Sequence, residues 1–223
     1  AMPWIDKVPA VVQAWYLGSE AGNCVADVIY GKVCPSGKLP MTFPARLKDV
    51  GAHAFDEKTY PGVLRNDDSK IVDENYTEGI YVGYRWTDKE KIKPLFPFGH
   101  GLSYTTFDYG KLSADKKEMT SDETITFTIP VTNTGSVGGS EVVQLYISDV
   151  KSSVDRPVKE LKGFAKVFLN PGETQTVTIT IDKDDLSFFD SAKHQWVAEP
   201  GDFVAYAGAS SADLRASAKF KLK

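Results

Sequence analysis

Cysteine and histidine are scarce in this sequence, with two of the first and three of the second among 223 residues. Cys24 and Cys34 show no CxxC spacing, which excludes the ordinary thiolate zinc sites. Cys24 falls near the start of a helical stretch and Cys34 beyond its end. A rise of about 1.5 Å per residue separates them by more than the roughly 7 Å between Cα atoms that a disulfide tolerates. Two free, mostly buried thiols are expected. No uninterrupted apolar run approaches the roughly 18 residues of a membrane span, so no membrane is expected as a partner. The formal net charge is -4 and comes without a basic stripe, which argues against nucleic acid. HExxH, GxxxxGK[ST] and GxSxG are all absent, which removes the zinc-protease, P-loop and serine-hydrolase signatures. No cofactor is expected. The amino terminus, "AMPWIDKVPA", lacks the basic start and apolar core of a signal peptide.

What is present divides into two kinds of pattern. "VPAVVQAWY" (Val8 to Tyr16) is a nearly continuous apolar run, as a strand buried on both faces would be. Gly18 and Ser19 then offer an N-cap, and Ala21, Val25, Val28 and Ile29 recur at helical spacing up to Gly31, a helix-ending glycine. "CPSGKLPMTFP" supplies a turn and a short strand through Leu39, Met41 and Phe43, bounded by prolines. Strand, helix and strand make one crossover unit of a layered sheet. Such a unit cannot bury its own two-faced sheet, so it implies neighbours this chain does not contain. Residues from about 45 to 93 are richer in charge and turn formers, and Ile80, Val82 and Tyr84 alternate as in a strand. Asn75-Tyr76-Thr77 fits the glycosylation acceptor pattern, which matters only in a eukaryotic secretory setting.

After Gly101 the hydrophobic period becomes two. Ile125, Phe127, Ile129 and Val131 alternate with Thr124, Thr126, Thr128 and Pro130. Val143, Leu145 and Ile147, and then Val177, Ile179 and Ile181, repeat the pattern. "KGFAKVFLNPGE", "WVAEPGDFVAYAG" and "RASAKFKL" complete roughly seven short strands. The expected fold is mainly β: an immunoglobulin or fibronectin III-like β-sandwich preceded by a partial α/β segment. The Cys-Trp-Cys core of antibody domains is missing.

Candidate chemistry is thin. His53, His100 and His194 stand far apart in sequence, and each has a structural reading. His100, between Gly99 and Gly101 in "PLFPFGHGLSYTTF", fits a junction where the backbone turns sharply and aromatic residues anchor it. Paired carboxylates of the kind glycoside hydrolysis uses could come from Glu20, Asp27, Glu74 and Glu78, but composition raises no pair above chance. Glu20 sits at a helix start, where the helix dipole alone favours a carboxylate. "NDDS" (Asn66 to Ser69) lacks the glycine and terminal glutamate of a calcium loop. Trp4, Trp15, Trp86 and Trp196 could form a sugar-stacking platform, though at such intervals they read as core or interface. Phe188, Phe189, Trp196, Phe203 and Tyr206 read mostly as core and turn residues.

The order of motifs resembles a known family. "MPWIDKVPAVVQAWYLGSEAGNCVADVIYGKVCPSGKLPMTFP", "YTEGIYVGYRW" and "PLFPFGHGLSYTTFDYG" are similar to the carboxy-terminal part of family 3 glycoside hydrolases, the β-glucosidase and β-xylosidase group. "PVTNTGSVGGSEVVQLYISD", "PVKELKGFAKVFLNPGET" and "PGDFVAYAGASS" resemble the fibronectin type III-like domain that ends many of them. The resemblance covers essentially the whole chain and implies a TIM-like barrel, then an α/β sandwich, then the fibronectin-like domain. Residues 1-60 would be the end of the α/β sandwich, 61-103 a connecting segment, and 104-223 the fibronectin-like domain.

In that family the nucleophilic aspartate lies in the barrel and the acid/base glutamate upstream of the segment matched by "AWY…GSEAGN". No catalytic residue carries over to this sequence, and His100 would be a hinge or interface residue. The parent reaction would be retaining hydrolysis of a terminal β-linked glucose or xylose, with a β-linked oligosaccharide as partner. The barrel and the rest of the α/β sandwich would be missing partners, and the exposed first half could self-associate. A bacterial, periplasmic or secreted parent is implied. The alternative is a carbohydrate- or partner-binding β-sandwich module that acts without the barrel.

Overall fold

A computed structural model describes residues 1–223, and its elements divide as the hydrophobic period does. The part before Glu90 holds helix α1 (Ala21–Ile29), the two-residue strands β1 (Val63–Leu64) and β2 (Val72–Asp73), and helix α2 (Tyr84–Lys89). The remainder is β3 (Phe107–Tyr109), β4 (Ser113–Ala114), β5 (Glu118–Met119), β6 (Ile125–Asn133), β7 (Gly139–Asp149), β8 (Glu160–Leu169) and β9 (Thr174–Ile181). After these come a short helix α3 (Lys183–Leu186), β10 (Phe188–Asp190), β11 (Gln195–Val197), β12 (Gly201–Gly208) and β13 (Leu214–Leu222).

The long strands form two facing sheets. One runs β5-β13-β12-β7-β8; in the other, β6 pairs with β3 and β4 on one side and with β9 on the other. Pairings are antiparallel except β13 with β5. Period-two sequence places Ile125, Phe127, Ile129 and Val131 of β6 inward against Val177, Ile179 and Ile181 of β9. Leu145, Phe203, Phe220 and Leu222 close the core from the other sheet. The hydrophobic core lies wholly between Leu112 and Leu222, so the sandwich is the mainly β unit that the alternation predicts.

Four sequence expectations need correction in the first hundred residues. Val8–Tyr16 is not a strand: Pro9 to Tyr16 make no backbone hydrogen bond, because no neighbouring strand is there to accept or donate one. The strand expected through Leu39, Met41 and Phe43 reduces to a single bridge, Phe43 with Phe96. Gly18 and Ser19 do not cap α1; a 3-10 turn over Gly18–Glu20 leads into it, and Glu20 at the N-cap makes no capping bond. Gly31 does terminate the helix, at φ 72°. The alternation of Ile80, Val82 and Tyr84 is broken by Gly79 and Gly83, both at positive φ, and Tyr84 opens α2. It is Tyr81, between two exposed residues, that is buried.

The thiols are free, but Cys24 is exposed, because the helix face that carries it has nothing packed on it. No residue before Asp49 is buried. Val12, Trp15, Tyr16, Ile29 and Tyr30 all stand open to solvent. No helix is long and apolar enough to cross a membrane.

Candidate functional site

The junction around His100 is where the two parts of the chain meet, and its geometry follows from two glycines. Gly99 has φ 79°, and a Cβ there would lie 2.0 Å from Oε1 of Gln144 on β7. A Cβ on Gly101 would lie 2.1 Å from the Gly37 carbonyl oxygen. Only glycine lets the backbone approach both neighbours so closely. The approach is used for hydrogen bonding. Leu39 N–H donates to the His100 carbonyl and Gly99 N–H to the Leu39 carbonyl, each at 2.8 Å. Gln144 Nε2 donates to the Gly99 and Ala209 carbonyls at 3.1 and 2.8 Å, and its Oε1 accepts from the Tyr146 hydroxyl at 2.6 Å.

His100 is half-buried, with its ring stacked on Phe96 at 5.4 Å. Burial, and then the charge of Lys38, pull its pKa below the usual histidine value. Lys38 donates to the Gly101 carbonyl at 3.0 Å and pairs with the buried Glu141 carboxylate at 2.9 Å. The histidine thus sits in a joint, with no nucleophile or carboxylate hydrogen-bonded to its ring.

A second contact layer comes from α2. Tyr84 stacks on Phe98 at 5.0 Å and meets Tyr146 edge-on at 5.9 Å, while its hydroxyl accepts from Leu161 N–H at 2.9 Å. Arg85 and Arg156 share the Glu160 carboxylate, each at 2.9 Å. Lys159 pairs with Asp88. The Tyr81 hydroxyl donates to Asp155 at 2.6 Å, beside Lys89, whose Nζ lies 3.6 Å from the Tyr81 ring centre. Beside α2, Phe55, Thr77, Glu78, Tyr81, Trp86 and Lys89 line an open cavity of about 380 Å³.

The sequence candidates scatter around these features. Glu20 is exposed and accepts from Asn23 Nδ2 at 2.6 Å; Asp27 pairs with Lys32 at 3.3 Å on the surface; Glu74 is exposed. Glu78 is half-buried in the cavity wall, and its Oε2 has no hydrogen-bond partner within the protein. His53 packs edge-on against Tyr60 at 4.6 Å, and His194 turns the exposed β10–β11 hairpin at φ 52°. Asn75 and the Asn66–Ser69 loop lie at the surface, where Ser69 N–H closes a turn onto the Asn66 carbonyl.

Of the tryptophans only Trp86 is buried; Trp4, Trp15 and Trp196 are 44, 48 and 69% exposed and spread over the chain. Phe203 is core as expected, whereas Phe189 and Trp196 are both exposed and meet edge-to-face at 5.7 Å on the hairpin. Sequence reasoning missed Gln144, Tyr84 and Glu160. Tyr84 reads in the sequence as one more position of a strand-like alternation, Gln144 and Glu160 as polar positions without a motif, and only the docking partner marks each.

Comparison with known proteins matches a family model in each part of the chain. Residues 1–84 match the glycosyl hydrolase family 3 C-terminal domain, and residues 141–211 the fibronectin type III-like domain. A β-glucosidase of Bacteroides ovatus is 50% identical over 99% of this chain, which covers 28% of that protein. The thermostable β-glucosidase B of Acetivibrio thermocellus is 48% identical over 96% of the chain and 27% of its own length. Among solved structures, a Streptomyces venezuelae β-glucosidase in complex with D-glucose superposes over the whole chain with a TM-score of 0.90 and 41% identity, covering 27% of that chain. The chain thus spans about a quarter of the length of the relatives it matches. It belongs to glycoside hydrolase family 3 and corresponds to the carboxy-terminal region of that family's β-glucosidases.

Proposed function

We propose that this chain is a non-catalytic brace: the carboxy-terminal portion of a retaining β-glucosidase-like enzyme that acts on terminal β-linked glucose or xylose. One observation carries the reading. Val8–Tyr16 leaves most of its apolar side chains uncovered and α1 only half-buries its apolar face, while the junction that follows is held by an ordered set of hydrogen bonds to the sandwich. Fully burying one large apolar side chain contributes about 1.5–3 kcal/mol. Val12, Trp15, Tyr16, Ile29 and Tyr30, from about half to fully exposed, offer on the order of 5 kcal/mol to whatever packs on them. The partner that fits is the rest of the α/β sandwich with the barrel in front of it. The sandwich domain would hold that assembly in place through Gln144, Tyr146 and Glu160, and a β-linked oligosaccharide would be bound in the catalytic part. Without those parts the same face would draw two copies of this chain together. The parent belongs outside the bacterial cytoplasm, in the periplasm or the medium.

A second reading has one observation in its favour, the exposed pair Phe189 and Trp196. Set edge-to-face, the pair offers one ring face and one edge where a flat platform would suit a sugar chain. Affinity electrophoresis on glucans and xylans separates the readings: a brace migrates unretarded, and a binding sandwich is retarded until Trp196 is replaced by Ala. The direct test of the first reading is hydrolysis of nitrophenyl β-glucoside and β-xyloside by the purified chain. No turnover is expected. Turnover lost on Glu20→Gln or Glu78→Gln would put a catalytic carboxylate in this chain and overturn the reading.

A further inference from the structure

A second cavity, of about 290 Å³, opens between the end of α2 and the β12–β13 turn, lined by Thr87, Asp88, Lys91, Lys93, Pro97 and Ser211 among others. Asp88, the one carboxylate in its lining, is held by Lys159. Lys91 and Lys93 are exposed and are left without a counter-ion there. Ser211 is 4% exposed, and its N–H donates to the Phe98 carbonyl at 2.9 Å. Its hydroxyl has no hydrogen-bond partner within the protein and yet is not sealed from solvent, so it opens on the cavity that Ser211 lines. A buried hydroxyl in that state is uncommon.

Lys91 is the less expected of the two lysines. Ile92 N–H donates to the Thr87 carbonyl at 2.9 Å and Lys91 N–H to the Asp88 carbonyl at 3.3 Å, the pattern that ends a helix through a left-handed residue. Glycine is the usual residue at that point, yet Lys91 adopts it at φ 54°. A lysine near a helix end often caps the last carbonyls, but those of Trp86, Thr87 and Asp88 already have backbone donors. Backbone held in a sparsely populated conformation collects at binding sites.

We propose that this cavity binds a small, doubly charged oxyanion of the phosphate or sulfate type. The two ammonium groups can only donate and the Ser211 hydroxyl has a proton to give, which is the complement of a group rich in acceptor oxygens. Two positive charges without a counter-ion favour a dianion over a singly charged carboxylate. Asp88 does not oppose this, because its charge is cancelled at contact distance by Lys159. The site does not depend on whether the chain acts as a brace.

The test is a titration of the nitrogen-15-labelled chain with sodium sulfate, sodium phosphate and sodium acetate at neutral pH and constant ionic strength, followed by the backbone amide resonances of Lys93, Ser211 and Ala212. The expected result is a saturable shift of these amides with sulfate and phosphate, and binding of acetate weaker by about fivefold or more. Lys91→Gly keeps the fold, since glycine suits that backbone, and should weaken sulfate binding by about fivefold or more. Lys93→Gln should do the same. Lys166→Gln, which removes an exposed lysine on β8 outside the cavity, should leave binding unchanged. The proposal is overturned if these amides show no saturable shift at sulfate concentrations well above about 1 mM, the range of weak specific ligands. It is equally overturned if acetate binds as tightly as sulfate, or if Lys91→Gly and Lys93→Gln both leave sulfate binding intact.

Discussion

At the scale of single residues, His100 shows how a histidine between two glycines can be held in a joint between two parts of a chain. Its ring stacks on Phe96 within reach of the Lys38 charge, and it pays in solvation for any proton it takes up. Its pKa in the folded chain therefore lies below the roughly 6.5 of an unfolded histidine. Above that pH both states are neutral and His100 contributes no pH dependence. As pH falls below it the unfolded chain takes up the proton first, so stability is lost. The urea midpoint of the wild-type chain should fall more between pH 7 and pH 5 than that of His100→Asn. Equal losses would remove His100 from the joint. The sequence pointed to the joint through Gly99 and Gly101, but only the approach of Gln144 to the first and of the Gly37 carbonyl to the second explains why both must be glycine.

Elements were legible in proportion to how much of their packing the chain contains. β6, β7, β9 and β12 find their partners within the sandwich, so the alternation of Ile125 to Val131 and of Val177 to Ile181 translates directly into strands. Val8–Tyr16 carries an equally strong apolar signal and forms no strand, because hydrogen bonding and burial of a two-faced strand both come from neighbours. Residues 80–84 misled for a different reason: two glycines at positive φ override a three-residue alternation. The α2 docking layer was not legible at all, since its charged residues read as solvated surface. Arg156 has 10% of its side chain exposed and holds Asp149 and Glu160, themselves 5 and 13% exposed. Arg156→Ala leaves Asp149 without its cation and should cost about 3–5 kcal/mol in chemical denaturation, far more than a surface ion pair. A loss under about 1 kcal/mol would class the network with surface pairs and weaken its place in the docking layer.

At the scale of the whole molecule, the contrast between the two parts is the main result. The sandwich is closed, with a single core and paired strands, whereas residues 1–48 contain no buried residue and present Val12, Trp15, Tyr16 and Ile29 outward. The family match covers both, with residues 1–84 and 141–211 each matched and 99% of the chain aligned to the Bacteroides ovatus β-glucosidase. On the proposed reading the open part is one side of an interface, and the junction at Gly99–Gly101 ties it to the sandwich. Sedimentation velocity over a concentration series tests this most directly, comparing the wild-type chain with Val12→Asp/Tyr16→Asp. Concentration-dependent association of the wild type, relieved by the double substitution and untouched by Trp196→Ala, is the predicted result. A wild-type chain that stays monomeric at every concentration, with residues 1–48 protected from hydrogen exchange as well as the sandwich strands are, would contradict it.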